Sequence, residues 1–308
     1  MDIIQSCIIL TMKVCLVYKT KKMVKGIGFF MDKIAIISDI HGNREALKTT
    51  LEDIKIRKCN KIICLGDIVS KGGFSNDCID LIKNNCDIVL CGNCDEYFTS
   101  KHDLTQVDEI EKQRIIKYDK QISAENKEYL KSLPYCYEFY LSGRLVRLFH
   151  AGPDSIYNYS NVGAWASIDK KFQMFKPNSL TISDNIADIV IYGHIHIQLM
   201  NKMYNRTLIC CGSVGNNLEY IRNEKKDGNI LNTTCANYVI IEGVLNSKQH
   251  DTLDIDFIQV QYDIDKEIEE SVDRISQGTI YELKHGMYRD IEKAKNILTK
   301  QGIDIKKI

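Results

Sequence analysis

Five short apolar runs in this chain each end on a residue that can hold a metal ion or move a proton. KIAIIS (33–38) leads into Asp39-Ile40-His41, KIICLG (61–66) into Asp67, and DIVLCG (87–92) into Asn93-Cys94-Asp95. RLVRLF (144–149) leads into His150, and DIVIYG (188–193) into His194-Ile195-His196. Taken singly, each has an ordinary explanation: an aspartate after a strand caps a helix or turn, and a histidine is commonly a hydrogen-bonded core or surface residue. Together they do not, because the carboxyl ends of strands in an open α/β sheet line a common crevice. In Asp-x-His and His-x-His the side chains stand two apart, a spacing that just past a strand end lets both turn toward one centre. The glycines at 42, 66, 92 and 193 are expected to allow the tight turns this requires. A mixed set of carboxylate, amide oxygen and imidazole suits borderline divalent ions, Mn²⁺ first, then Fe²⁺, Co²⁺, Ni²⁺ or Zn²⁺. His102, His250 and His285 lie in polar segments and keep the ordinary explanation.

These runs are of strand length, and amphipathic stretches alternate with them from Met31 onward, the pattern of a layered α/β domain. Residues 43–57, with Ala46, Leu47, Leu51 and Ile54 at helical spacing, and 76–85, with Cys78, Ile79 and Ile82, are expected to be crossover helices. Residues 96–133 are polar and helical in character, with Pro134 ending the last helix. Further strands are expected at 206–211, 236–243 and 256–262, with a polar loop at 221–234. From Asp263 the tail carries Ile268, Val272 and Ile275, then Ile291, Ala294, Ile297 and Leu298, and is expected to form a pair of appended helices. The organisation is thus an N-terminal extension (1–30), a layered α/β domain (31–262) and a helical C-terminal appendage (263–308).

Composition narrows the functional classes. Lys plus Arg and Asp plus Glu both number 41 in 308 residues, so there is no general attraction to nucleic acid or to an anionic membrane. The twelve cysteines are scattered and several sit in apolar runs, which fits buried thiols in a reducing cytoplasm better than a disulfide framework. The apolar stretch CIILTMKVCLVY is short for a spanning helix and holds Lys13 near its middle, so no membrane anchor is expected. No Walker loop or Rossmann fingerprint occurs. A homo-oligomer is compatible with the sequence.

The ordered segments SDIHGN, LGDIV, GNCDE, FHAGP and GHIH resemble the calcineurin-like metallophosphoesterase superfamily, over about residues 32–262. The SDIHGN opening, the run SAENKEYLKSLP and CGSVGN (211–216) look most like its small bacterial phosphodiesterase branch. The resemblance implies a sandwich of two mixed β-sheets flanked by helices. It implies two divalent metal ions: Asp39, His41 and His196 on one, Asn93, His150 and His194 on the other, and Asp67 bridging them. It also implies hydrolysis of a phosphodiester or phosphomonoester by in-line attack of a metal-activated water, with Asp67, Asn93, Cys94 and Asp95 in the catalytic set. One departure stands out. The superfamily's Gly-Asn-His-Asp/Glu is Gly92-Asn93-Cys94-Asp95 here, and a thiol is a weaker donor than the imidazolium that usually assists the leaving oxygen. Asp95, which would orient that histidine, is expected to lose its usual role.

Other functions remain to be weighed: a metallophosphoesterase-fold scaffold that has lost catalysis, a protein phosphatase, a dinucleoside polyphosphate hydrolase or nuclease, or a redox protein built on Cys91 and Cys94. Retention of every ligand type disfavours the scaffold, absence of Gly-Asn-His-Glu disfavours the protein phosphatase, and neutral charge gives a nuclease no support. Because residues 1–30 contribute no ligand, their deletion is expected to leave folding and activity largely unchanged. A truncated protein that expresses insolubly, or loses phosphoesterase turnover, would show instead that the extension packs on the domain.

Overall fold

The computed structural model describes residues 31–99, 107, 109–158, 161, 166–220, 230–232, 235–276, 279–280 and 283–284. Its strands are β1 (Asp32–Ile37), β2 (Lys61–Cys64), β3 (Ile88–Val89), β4 (Cys136–Leu141), β5 (Arg144–Phe149), β6 (Ile189–Tyr192), β7 (Gln198–Met203), β8 (Arg206–Cys211), β9 (Leu218–Tyr220), β10 (Ile230–Asn232), β11 (Cys235–Gly243) and β12 (Asp254–Gln261). Its helices are α1 (Arg44–Ile56), α2 (Ser75–Asn85), α3 (Asn93–Glu96), α4 (Glu109–Asp119), α5 (Ala124–Ser132), α6 (Ile168–Gln173) and α7 (Ile264–Ser271).

Two five-stranded mixed sheets form, in the orders β12-β11-β1-β2-β3 and β4-β5-β6-β8-β7, with β9 and β10 as a separate ribbon. The parallel pairs are β1-β2, β2-β3, β5-β6 and β6-β8. Strand alternation builds the layers. Ile34 and Ile36 of β1 join Val146 and Leu148 of β5 and Ile189 and Ile191 of β6 in the core between the sheets. Ala35 and Ile37 face the other way, onto Ala46, Leu47 and Ile54 of α1 and Ile79 and Ile82 of α2. On the far side of the second sheet, Phe149, Val190 and Tyr192 pack with Met174 and Phe175. Helices α1 and α2 are the expected crossovers between parallel strands. Asn43 caps α1, its Oδ1 accepting from Ala46 N at 3.1 Å.

The structure departs from expectation in several places. Strands β4 and β7 were not expected, and β10 occupies part of the segment expected to be loop. Strand β3 has only two residues. The described cysteines are thiols and most are buried, in keeping with the apolar runs that hold them. Helix α7 is folded onto α1: Lys266 Nζ donates to Glu45 Oε2 at 2.8 Å, Glu267 Oε2 accepts from Glu45 N at 3.0 Å, and Arg44 pairs with Glu270. Within that tail Ile268 and Ile275 are buried, whereas Val272 is 46% exposed, outside the buried stripe. The helix expected around Ile291–Leu298, residues 1–30, His102 and His285 lie outside the described residues.

The sheets approach closely where β1 and β6 end, and here the expected role of two glycines needs correcting. Gly42 and Gly66 do take positive φ, 64° and 101°. Gly92 and Gly193 instead make room for neighbours. A Cβ on Gly193 would stand 2.1 Å from Ser38 Oγ and 2.5 Å from Asp39 Oδ2, and one on Gly92 2.2 Å from Asp67 Oδ1. Gly193→Ala is therefore expected to wedge the sheet ends apart, destabilising the fold by about 1–3 kcal/mol in urea unfolding. A stability within error of the parent would mean that the sheet ends tolerate the separation.

Candidate metal centre

Three of the five strand ends, those of β1, β2 and β6, deliver their side chains through an unusual backbone turn. Asp39, His41, Asp67, His194 and His196 all adopt left-handed conformations, with φ of 54°, 50°, 53°, 65° and 60°. Such values are uncommon for residues other than glycine and cluster at functional sites. Hydrogen bonds across the strand ends hold them: Asp39 N donates to Gly66 O, His41 N to Asp67 O, Gly215 N to Asp39 O and Gly193 N to His150 O, at 2.9 to 3.0 Å. The result gathers all seven expected ligand side chains, each buried or nearly so.

Their hydrogen-bond roles follow from their partners. His41 Nδ1 lies 3.3 Å from Val69 O, His150 Nδ1 3.1 Å from Leu65 O, and His196 Nδ1 2.6 Å from Asn216 O. A carbonyl oxygen only accepts, so in each ring the proton sits on Nδ1 and Nε2 presents a bare lone pair. His41 Nε2 and His196 Nε2 then face each other at 3.0 Å, with Asp39 Oδ1 3.2 Å from His196 Nε2 and Asp67 Oδ2 3.7 Å from His41 Nε2. Asp39 Oδ1 accepts no hydrogen bond. On the other side His150 Nε2 lies 3.0 Å from Asn93 Oδ1, 3.5 Å from Asp67 Oδ1 and 3.3 Å from His194 Nδ1. Two knots of electron-pair donors thus adjoin, and Asp67 offers one carboxylate oxygen to each. His41 Nε2 facing His196 Nε2, and His150 Nε2 facing Asn93 Oδ1, meet without an intervening proton, as donors around a cation do.

Electrostatics point the same way. Burial, with the nearby Lys71, holds His41 well below its usual pKa, and burial with His150 does so for His194, so both rings stay neutral as metal ligands must. Burial alone would raise the Asp39 carboxyl, and only positive charge beside it, from a protonated His196 or from a cation held by the neutral rings, brings it below the usual carboxylate range. Asp95 has contacts that the sequence did not announce. It loses its histidine partner yet gains another role, accepting from Asp67 N at 2.7 Å, Ile68 N at 2.8 Å and Gly92 N at 3.0 Å. It thereby ties the loop after β2 to the loop after β3. Burial and the adjacent Asp67 push its carboxyl up to about 7, against the pull of those N–H groups. Cys94 N donates to Asp67 Oδ1 at 2.7 Å, and its thiol is buried beside the centre. His250 is exposed and away from the cluster.

Some participants were not foreseen. The carbonyls of Leu65, Val69 and Asn216 that orient the rings have no sequence signature. A cavity beside His41 is lined by Lys71 from the loop after Asp67, by Asn216, and by Glu267, Ile275 and Leu283 from the C-terminal segment. Lys71 had a signal, since it follows Asp67 in GDIVSKGG; the C-terminal wall had none.

The comparisons with known proteins agree with this geometry. An uncharacterized protein of Methanocaldococcus jannaschii is 32% identical over 247 residues, spanning 78% of this chain and 91% of that protein. Among solved structures, a metallophosphoesterase from Sphaerobacter thermophilus superposes with a TM-score of 0.58 at 21% identity, covering 83% of this chain and 99% of that one. A hypothetical protein from Pyrococcus horikoshii OT3 does so with a TM-score of 0.63 at 18% identity, covering 82% and 98%. Both share the fold. The family model for calcineurin-like phosphoesterases matches residues 32–198, a span that starts with β1 and closes just past His196. With its fold, its strand-end residues and this match in register, the chain belongs to the calcineurin-like phosphoesterase family.

Proposed function

We propose that this chain is a phosphoesterase that hydrolyses phosphodiesters or phosphomonoesters at a centre of two divalent ions. The observation that carries this is the pair of adjoining lone-pair clusters sharing Asp67. Asp39, His41 and His196 would hold one ion, Asn93, His150 and His194 the other, and Asp67 both. Ions bound there would supply the positive charge and Lewis acidity that hydrolysis of a phosphate ester requires. The protein's own part is to fix the donors: Val69, Leu65 and Asn216 carbonyls orient three imidazoles, and Asp95 locks the backbone around Asp67. Lys71, at the cavity beside His41, would add positive charge that favours an anionic ester there. A cytoplasmic location is proposed from the buried thiols; no helix among the described residues is long and apolar enough to cross a membrane.

Chelation is expected to abolish hydrolysis of p-nitrophenyl phosphate or its diester, and Mn²⁺ or a similar ion to restore it. Chelator-resistant turnover of unchanged size would sink the assignment. Asp67→Asn is expected to be among the most damaging substitutions, since it removes charge from the one carboxylate facing both clusters. Two metals per chain in that variant by elemental analysis, together with normal turnover, would contradict a bridging role.

A further inference from the structure

Cys94 occupies the place where the family pattern carries histidine, and the structure puts its sulfur among the metal-facing atoms. Cys94 Sγ, a ring nitrogen of His41 and a carboxylate oxygen of Asp67 all lie within 4.8 Å of one another, and all three side chains are buried. Three donors about 2.0–2.3 Å from one small cation stand roughly 3.3–4.0 Å from one another, so this triangle contracts by up to about 1 Å when an ion enters it. Two further contacts hold Cys94 in place, one through its backbone and one through its sulfur. Cys94 N donates to Asp67 Oδ1 at 2.7 Å, which pins the residue against the shared carboxylate. Asn93 Nδ2 donates toward Cys94 Sγ at 3.5 Å while Asn93 Oδ1 faces His150, so the amide treats the sulfur as an electron-pair donor.

We propose that Cys94 is a sulfur ligand of the centre, on the cation that His41 and Asp67 face. The proposal rests on the metal-dependent function argued above. On ligation the thiol proton passes to solvent, a sulfur lone pair goes to the cation, and no electron is transferred. A thiolate among imidazole and carboxylate donors shifts selectivity toward softer ions, so Zn²⁺ or Co²⁺ should compete with Mn²⁺ better than at an all-N/O centre.

The test uses the full-length chain, stripped of metal and loaded with Co²⁺ alone. Visible cobalt d–d bands report an ion in an ordered protein site; a near-ultraviolet sulfur-to-cobalt charge-transfer band reports a Co–S bond. The parent is expected to show both. Cys94→Ser and Cys94→Ala, checked for native circular dichroism, are expected to keep the visible bands and lose the charge-transfer band. In competitive loading, the ratio of Zn²⁺ to Mn²⁺ taken up should fall roughly tenfold or more in either variant. Visible bands without charge transfer in the parent, or charge transfer and metal ratio unchanged in both variants, would overturn the sulfur ligand and leave the metal-dependent function standing. Failure of the parent to take up Co²⁺, Zn²⁺ or Mn²⁺ at all would overturn both.

Discussion

The centre of this molecule is an arrangement that its own atoms resist. His41 Nε2 and His196 Nε2 point lone pairs at each other from 3.0 Å, and His150 Nε2 does the same toward Asn93 Oδ1. Such groups scatter unless each is fastened from behind, and most of the surrounding structure is that fastening. Three backbone carbonyls hold the imidazoles by their other nitrogens, and Asp95 gathers the N–H groups of two loops around Asp67. The two sheets exist, from this standpoint, to bring those loops into register.

Strain and packing are coupled there. Five non-glycine residues of the cluster are held in left-handed conformations that cost of order 1–3 kcal/mol each. The opposing stabilisation comes from the layers behind them: Ile34 and Ile36 against Val146 and Leu148 on one side of the first sheet, and α1 and α2 on the other. Glycine at 193 lets the ends of β6 and β1 come within contact across the two sheets, and glycine at 92 lets the loop after β3 close on Asp67. The site is therefore as rigid as the core that supports it, which suits donors that must not relax apart.

The residues of the site were legible in the sequence because polar donors placed directly after β-branched apolar runs are conspicuous: Asp39 after KIAIIS, His150 after RLVRLF, His194 and His196 after DIVIYG. The central strands were legible for the same reason. Strand β7, QLMNKM, was not, since in this edge strand the apolar Leu199 and Met200 are adjacent and so are the polar Asn201 and Lys202, which leaves no alternation to read. The new role of Asp95, the left-handed turns and the ring-orienting carbonyls were hidden because they arise from contacts between segments that carry no local pattern. The same holds for α7, whose periodicity announced a helix but not that Glu267 and Lys266 would fasten it to α1.

The spacing of the donors along the chain has a consequence for how the molecule is made. His41 and His196 touch across 155 positions, and His150 reaches Asn93 across 57. During synthesis at about 5–20 residues per second, the first strand's donors wait on the order of ten seconds or more for their partners. A nascent chain thus offers incoming ions only isolated aspartates and histidines, which hold them weakly. If the centre takes up cations as proposed, both clusters would be complete only after the second sheet has closed over the first, and loading would be a late event of biogenesis.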